Sequence, residues 1–150
     1  MRLLLLACGR LRDPALISLW RDYAGRLPGG IDVVEIDVRG RSAPDTRREE
    51  SRRILDAVPG GARLVALDRT GRTLDSPGFA QTLTRWRDDG CAVAAFAIGG
   101  ADGHEAEVLA RADLALSFGP MTFPHLLARV MLAEQLWRAH AIRTGHPYHH

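Results

Sequence analysis

Short β-like runs alternate with helix-length segments from one end of the chain to the other. The runs predict strands at Leu3–Cys8, Asp32–Val38, Arg63–Asp68, Ala92–Ile98 and Leu114–Ser117. Several are continuously apolar rather than alternating, which is the pattern of strands covered by helices on both faces. Helices are predicted over Pro14–Leu27, Ala43–Val58, Ser76–Asp89, Gly103–Ala112 and Pro124–Thr144. The order implies an α/β domain with a mainly parallel sheet. Punctuation agrees: Asp13-Pro14 and Ser76-Pro77 read as a cap followed by an N1 proline, while Pro28-Gly29-Gly30 and Pro59-Gly60-Gly61 end helices.

Two helices depart from a plain amphipathic pattern. The second is mostly polar, with Arg47, Arg48, Arg52 and Arg53 interspersed with Glu49 and Glu50, and it follows a basic loop, Arg39-Gly40-Arg41-Ser42. That stretch is either a solvated face or a phosphate-contacting surface. The last helix is apolar at nine of the twelve positions from Leu126 to Trp137, and Arg129, Glu134 and Gln135 point in widely separated directions. It has no solvent face. Burial against a second copy of the chain is the expectation, because the charged residues make a membrane span expensive.

Composition narrows the class. At 150 residues the chain fits one domain, spanning residues 1–150, with no need of disulfides or a metal. Cys8 and Cys91 lie in apolar surroundings without a CxxC pair and read as buried thiols of a cytoplasmic protein. The opening Met1–Cys8 run resembles a signal peptide but stops at Gly9-Arg10 without a cleavage region, so it reads as a buried strand. The net charge of +2 does not announce a nucleic-acid binder. All 20 cations are arginine and asparagine is absent, a usage that a GC-rich genome produces by itself.

Familiar catalytic signatures are missing: there is no GxSxG, HExxH, GxxxxGK[ST] or strand followed by GxGxxG. His104-Glu105 lacks the second histidine of a zinc-protease helix. Hydrolases, P-loop NTPases and dinucleotide oxidoreductases are thereby disfavoured. Three strand exits remain, in the places where open α/β sheets put ligands: Leu67–Arg72, Ile98–Gly103 and Phe118–His125. Glycines at 99, 100 and 103 permit close backbone approach and positive φ, as a ligand read by main-chain hydrogen bonds requires.

Taken together, Leu67-Asp68…Gly71-Arg72, Phe96-Ala97-Ile98-Gly99-Gly100…Gly103, Met121–Arg129, Glu134–Ala139 and the closing His146-Pro147-Tyr148-His149 resemble the ribosomal RNA large subunit methyltransferase H family of the SPOUT class. The resemblance runs through essentially the whole chain. It implies a C-terminal deep trefoil knot that forms a pocket for S-adenosylmethionine and a homodimer interface. It further implies N3-methylation of a pseudouridine in 23S ribosomal RNA, on the assembled ribosome. Carried over by motif, Leu67, Gly99 and Gly100 match cofactor positions, and Phe118, Gly119, Pro120, Met121, Thr122 and Phe123 match the knot loop. Phe118-Gly119 stands where the family often has Leu-Ser, and His150 where it often has Lys or Arg.

Methyl transfer from a sulfonium asks the protein to position and desolvate, and the N3 imide proton needs an acceptor or a cation that favours its loss. His125, Arg129, Arg138, Tyr148 and His149 are the catalytic candidates, with Glu134 one turn from Arg138 to orient it. Each has a plainer reading: His125 capping the last helix, the arginines neutralising Glu134 or the helix end, the histidine-rich tail disordered. Two other functions stay open, a SPOUT-like enzyme acting on another RNA and a non-catalytic RNA-binding α/β dimer.

Overall fold

The computed structural model describes residues 1–149. Its elements follow in the order β1 (Arg2–Cys8), α1 (Pro14–Gly25), β2 (Asp32–Ile36), α2 (Ala43–Ala57), β3 (Arg63–Thr73), α3 (Ser76–Asp88), β4 (Val93–Ile98), α4 (Ala106–Arg111), β5 (Leu114–Ser117) and α5 (His125–Thr144), closed by a 3-10 turn, Pro147–His149. The strands form one sheet in the order β2-β1-β4-β3-β5, and every pairing is parallel.

Successive side chains of a strand face opposite sides of a sheet, and here both sides are apolar. Leu5, Ala7, Val65, Phe96 and Ile98 pack with Phe79 and Trp86 of α3 and with Leu132 and Leu136 of α5. Leu4, Leu6, Cys8, Leu64, Ala66, Ala95 and Ala97 pack with Ile54 of α2 and Val108 of α4. Connections toward the β2 edge, through α1 and α3, use the first face; those toward the β5 edge, through α2 and α4, use the second. All four crossovers therefore share one hand, as the twist of parallel sheets demands.

Several details differ from the sequence reading; β2, for one, ends at Ile36 rather than Val38. The third strand does not end at Asp68: Leu67 and Arg72 both register with Leu116, so Asp68–Gly71 loops out of the β3–β5 ladder before pairing resumes. Gly71 is required there, since a Cβ would lie 2.7 Å from the Ala115 carbonyl. The fourth helix starts at Ala106 rather than Gly103, because Gly103 has φ +74° and closes a bridge to Gly100. The cap of α3 is Asp75, whose carboxylate accepts from Gly78 N–H at 2.8 Å, while Ser76 donates to Gln135. Cys91 is half-buried, not buried like Cys8.

No residue of α5 from Leu126 to Ile142 is exposed. α1, α3 and the 3-10 turn supply that cover within one chain, so the all-round apolar pattern does not by itself require a second copy. Among the described residues no helix is long and apolar enough to cross a membrane.

Candidate functional site

Because β4, β3 and β5 are neighbours running in one direction, their C-terminal exits come out side by side. They line one cleft of about 420 Å³, with walls from Leu67–Thr70, Ile98–Gly103 and the loop after β5. That volume falls within the roughly 300–1,000 Å³ usual for small-molecule sites. Of the sequence-predicted cofactor residues, Leu67, Gly99, Gly100, Phe118, Gly119, Met121, Thr122 and Phe123 line it, and Pro120 does not.

Side-chain hydrogen bonds tie these walls together. Ser117 Oγ lies 3.1 Å from the Arg69 carbonyl and 2.9 Å from the Gly119 carbonyl and accepts from Gly119 N–H, joining the loop-out of β3 to the exit of β5. Asp68 accepts from both the N–H and the hydroxyl of Thr70. Burial works to raise its pKa, but those hydrogen bonds and the nearby His104 hold it below the ordinary range. A Cβ on Gly99 would lie 2.8 Å from Gly103 main-chain atoms, so the turn closes this tightly only with glycine. Gly103 alone among the three glycines needs its positive φ.

Underneath the turn lies α2. Ser51 accepts from Glu105 N–H at 2.9 Å, Arg47 pairs with the Glu105 side chain, and Glu50 sits behind Gly100. Only Ile54, of the apolar side chains on α2, is buried, worth about 1.5–3 kcal/mol; the rest of its inner face is this polar shelf. Beside it the Cys8 thiol is pushed up to about 12 by burial and by Glu50. The His104 imidazole is buried next to Leu67 and Ala97, and burial pushes its pKa down.

The sequence-predicted catalytic residues separate into two groups. His125 faces the cleft as the first residue of α5, with Nε2 against the Gly9 backbone, where a Cβ would come within 3.0 Å. It does not cap the helix, whose N-cap, Pro124, makes no side-chain bond. Burial and the adjacent Arg129 push its pKa down. Arg129, 1 % exposed, points away from the cleft into the protein: it donates to the Cys8 and Gly9 carbonyls at 2.8 and 2.5 Å and pairs with Glu35 at 2.8 Å. Its role is to bind the start of α5 to the end of β1.

Arg138 lies thirteen residues beyond His125, about 20 Å along the helix. It donates twice to Glu134 and stacks 4.8 Å from the Tyr148 ring, whose hydroxyl also donates to Glu134. Tyr148 is pushed up to about 12, by burial first and by Tyr23 and Glu134 next. His149 follows in the same turn. Glu134 and Tyr23 also line a second groove, of about 710 Å³, with Leu19, Leu74, Val130 and Met131. The two hollows share Leu116–Gly119, and neither Arg138 nor Tyr148 lines the cleft. His150 lies outside the described residues.

Sequence reasoning missed Glu50, Ser51, Glu35 and Asp68. Glu50 and Ser51 do precede Ile54 at helical spacing, which puts all three on the inward face. Glu35 pairs across 94 residues with Arg129 and left no local signal. Among the described residues, no group of three His, Cys, Asp or Glu is placed to hold a metal ion.

Comparison with known proteins agrees with this geometry. The model of a family described as predicted SPOUT methyltransferases matches residues 1–149. Proteins named ribosomal RNA large subunit methyltransferase H are similar over nearly their whole length. That of Paramagnetospirillum magneticum is 50% identical, with 99% of each chain covered. That of Rhodospirillum centenum is 51% identical at the same coverage, and that of Gluconacetobacter diazotrophicus 49%, covering 97% of this chain and 95% of its own. The chain belongs to the ribosomal RNA large subunit methyltransferase H family of SPOUT methyltransferases.

Proposed function

We propose that this protein methylates N3 of a pseudouridine in 23S ribosomal RNA of the large subunit, with S-adenosylmethionine as donor and the assembled ribosome as substrate. The observation that carries the reading is the convergence of three strand exits into one glycine-walled cleft in a chain of this family. The cleft fits the donor: its volume suits a nucleoside-sized ligand, and main-chain groups at Leu67, Gly99, Gly100 and the loop from Phe118 to Phe123 can read adenine and hold the methionyl arm. S-adenosylmethionine, when bound, supplies a methyl group already activated by its positively charged sulfur. The deep trefoil knot of the C-terminal part belongs to the same proposal.

What the chain's residues do follows from their environments. His125, half-buried at the cleft and held neutral by burial and Arg129, accepts the imide proton of the target base. Arg129 positions it by fixing the first turn of α5 to β1. Met121 and Phe123, exposed at the cleft mouth, cover the reacting centre when RNA docks and exclude water from it.

Arg138, Tyr148 and His149 act in a homodimer. A second copy seated in the groove beside Leu19 and Met131, which abuts the cleft at Phe118-Gly119, brings one chain's tail toward the other's donor site. A cytoplasmic location follows from a ribosomal substrate. Transfer of labelled methyl groups to whole ribosomes, separated large subunits and tRNA tests the reading. Label in the large-subunit RNA of whole ribosomes, at pseudouridine N3, is the expected result. Label in tRNA instead favours a related enzyme with another RNA target, and donor binding with no transfer to any RNA leaves a non-catalytic RNA binder.

A further inference from the structure

Arginines neutralise acidic groups across most of this protein. On α2 itself Arg47 takes Glu105, and Arg52 and Arg53 both take Glu49. Glu50, the next residue, is treated differently: among the described residues it forms no ion pair, although it is only 8 % exposed. Its carboxylate stands directly behind the glycine turn, where a Cβ on Gly100 would lie 2.6 Å from Oε2 and 3.0 Å from Oε1. Gly100 N–H and the Cys8 thiol donate to it. Asp68 and Asp102, on the cleft walls in front, form no salt bridge among the described residues, although His104 and Arg69 lie near Asp68.

A buried carboxylate without a cation is costly. The side chains that act most strongly on Glu50 are Cys8 from β1, Asp102 from the turn and Asp37 from beyond β2, and none of these is cationic. The nearest guanidinium behind Cys8, that of Arg129, is engaged with two carbonyls and Glu35. Burial, Asp102 and Asp37 together push the Glu50 pKa up despite the two hydrogen bonds. A positively charged molecule in the cleft would relieve this field from the other side of one peptide layer.

We propose that Glu50 is a positioning residue that holds the Gly99–Gly103 turn from behind and makes the cleft prefer a cationic ligand, the sulfonium donor, over the neutral thioether product. The inference rests on the donor assignment above and adds a means of product release. Once the methyl group has left, the ligand no longer carries the charge that Glu50 favours.

Calorimetric titration of S-adenosylmethionine and S-adenosylhomocysteine into wild-type and Glu50→Gln protein tests it. Glutamine keeps an acceptor for Gly100 N–H and removes the charge. Donor affinity falls about tenfold, the scale of one partly screened charge a few ångströms away, while product affinity changes by less than about twofold. Equal losses for the two ligands, or no loss, overturn the charge role. The wild-type protein supplies a second test that needs no variant: the ratio of donor to product affinity falls on mild acidification as Glu50 takes up a proton, and a constant ratio overturns the proposal. Wild-type protein that binds neither ligand refutes the donor assignment itself, and this inference with it.

Discussion

Replacing Arg129 by leucine separates the structural account of this residue from a catalytic one. The guanidinium makes three hydrogen bonds, two to carbonyls at the end of β1 and one to Glu35. Leucine fills much of the space and recovers part of the apolar burial, but it leaves the carbonyl of fully buried Cys8 without its donor. A buried group left unsatisfied costs about 1–3 kcal/mol, and breaking a buried charge pair about 3–5 kcal/mol. Glu35 is partly solvated, which puts the net loss near the lower end, about 3 kcal/mol. For a chain of this length that is a fall in Tm of about 6–12 °C.

Glu35 also gives the loss a pH signature. Burial raises its pKa, but the Leu11 N–H and Arg129 outweigh that and hold it below the ordinary value. Its contribution is therefore present above the unfolded-state pKa and disappears as pH falls through the folded one. Urea denaturation of wild type and Arg129→Leu from neutral pH to below the ordinary glutamate value of about 4.3 reads both effects. The gap between the two proteins is largest near neutrality and narrows in acid. A loss below about 1 kcal/mol at neutral pH would refute the reasoning, because the three bonds would then be worth no more than one exposed pair.

Other perturbations probe the cleft more directly. Gly99→Ala, which sets a Cβ against the Gly103 backbone, weakens donor binding at least about tenfold while overpacking costs about 1–3 kcal/mol. Gly60→Ala, with nothing within 4 Å, leaves both unchanged in the same calorimetry and melting experiments. Methyl transfer falls as pH drops through the depressed pKa of His125, so the acid limb lies below the ordinary histidine value of about 6.5. His125→Gln removes the limb along with most of the rate, and a limb that persists in this variant excludes His125 as the proton acceptor. Cys8, buried and pushed up to about 12, stays unmodified by a thiol reagent in the native protein while half-buried Cys91 reacts. Modification of Cys8 without unfolding would show the Glu50–Gly100 region to be open.

The sheet was legible because its inner strands are apolar on both faces and glycine or proline punctuates every long connection. Periodicity could not show the detour of β3, since Asp68–Gly71 leaves and rejoins a ladder whose partner, β5, comes more than forty residues later. Sequence reading starts the helix over Gly103–Ala112 three residues too early because Gly103 and His104 carry no local mark of the bridge that holds them. The cleft was readable from three strand exits and from family resemblance, but its underside was not. α2 looked like a solvated face because its charges outnumber Ile54, and the inward turn of Glu50 and Ser51 shows only when the glycine turn is in place above them. The five catalytic candidates shared one list in the sequence; α5 keeps His125 and Arg129 at its start and Arg138 about 20 Å from His125, where Tyr148 and His149 join it from the closing turn.

The central claim is that one glycine-walled cleft at the ends of β3, β4 and β5 holds the methyl donor. Backbone amide resonances of the labelled protein, followed while S-adenosylmethionine is added, test it directly. The account predicts that shifts concentrate at Leu67–Arg72, Gly99–Gly103 and Phe118–Phe123, with Glu50 and Ser51 moving behind them. Shifts confined to the groove between α1 and α5, or none at saturating donor, would contradict it.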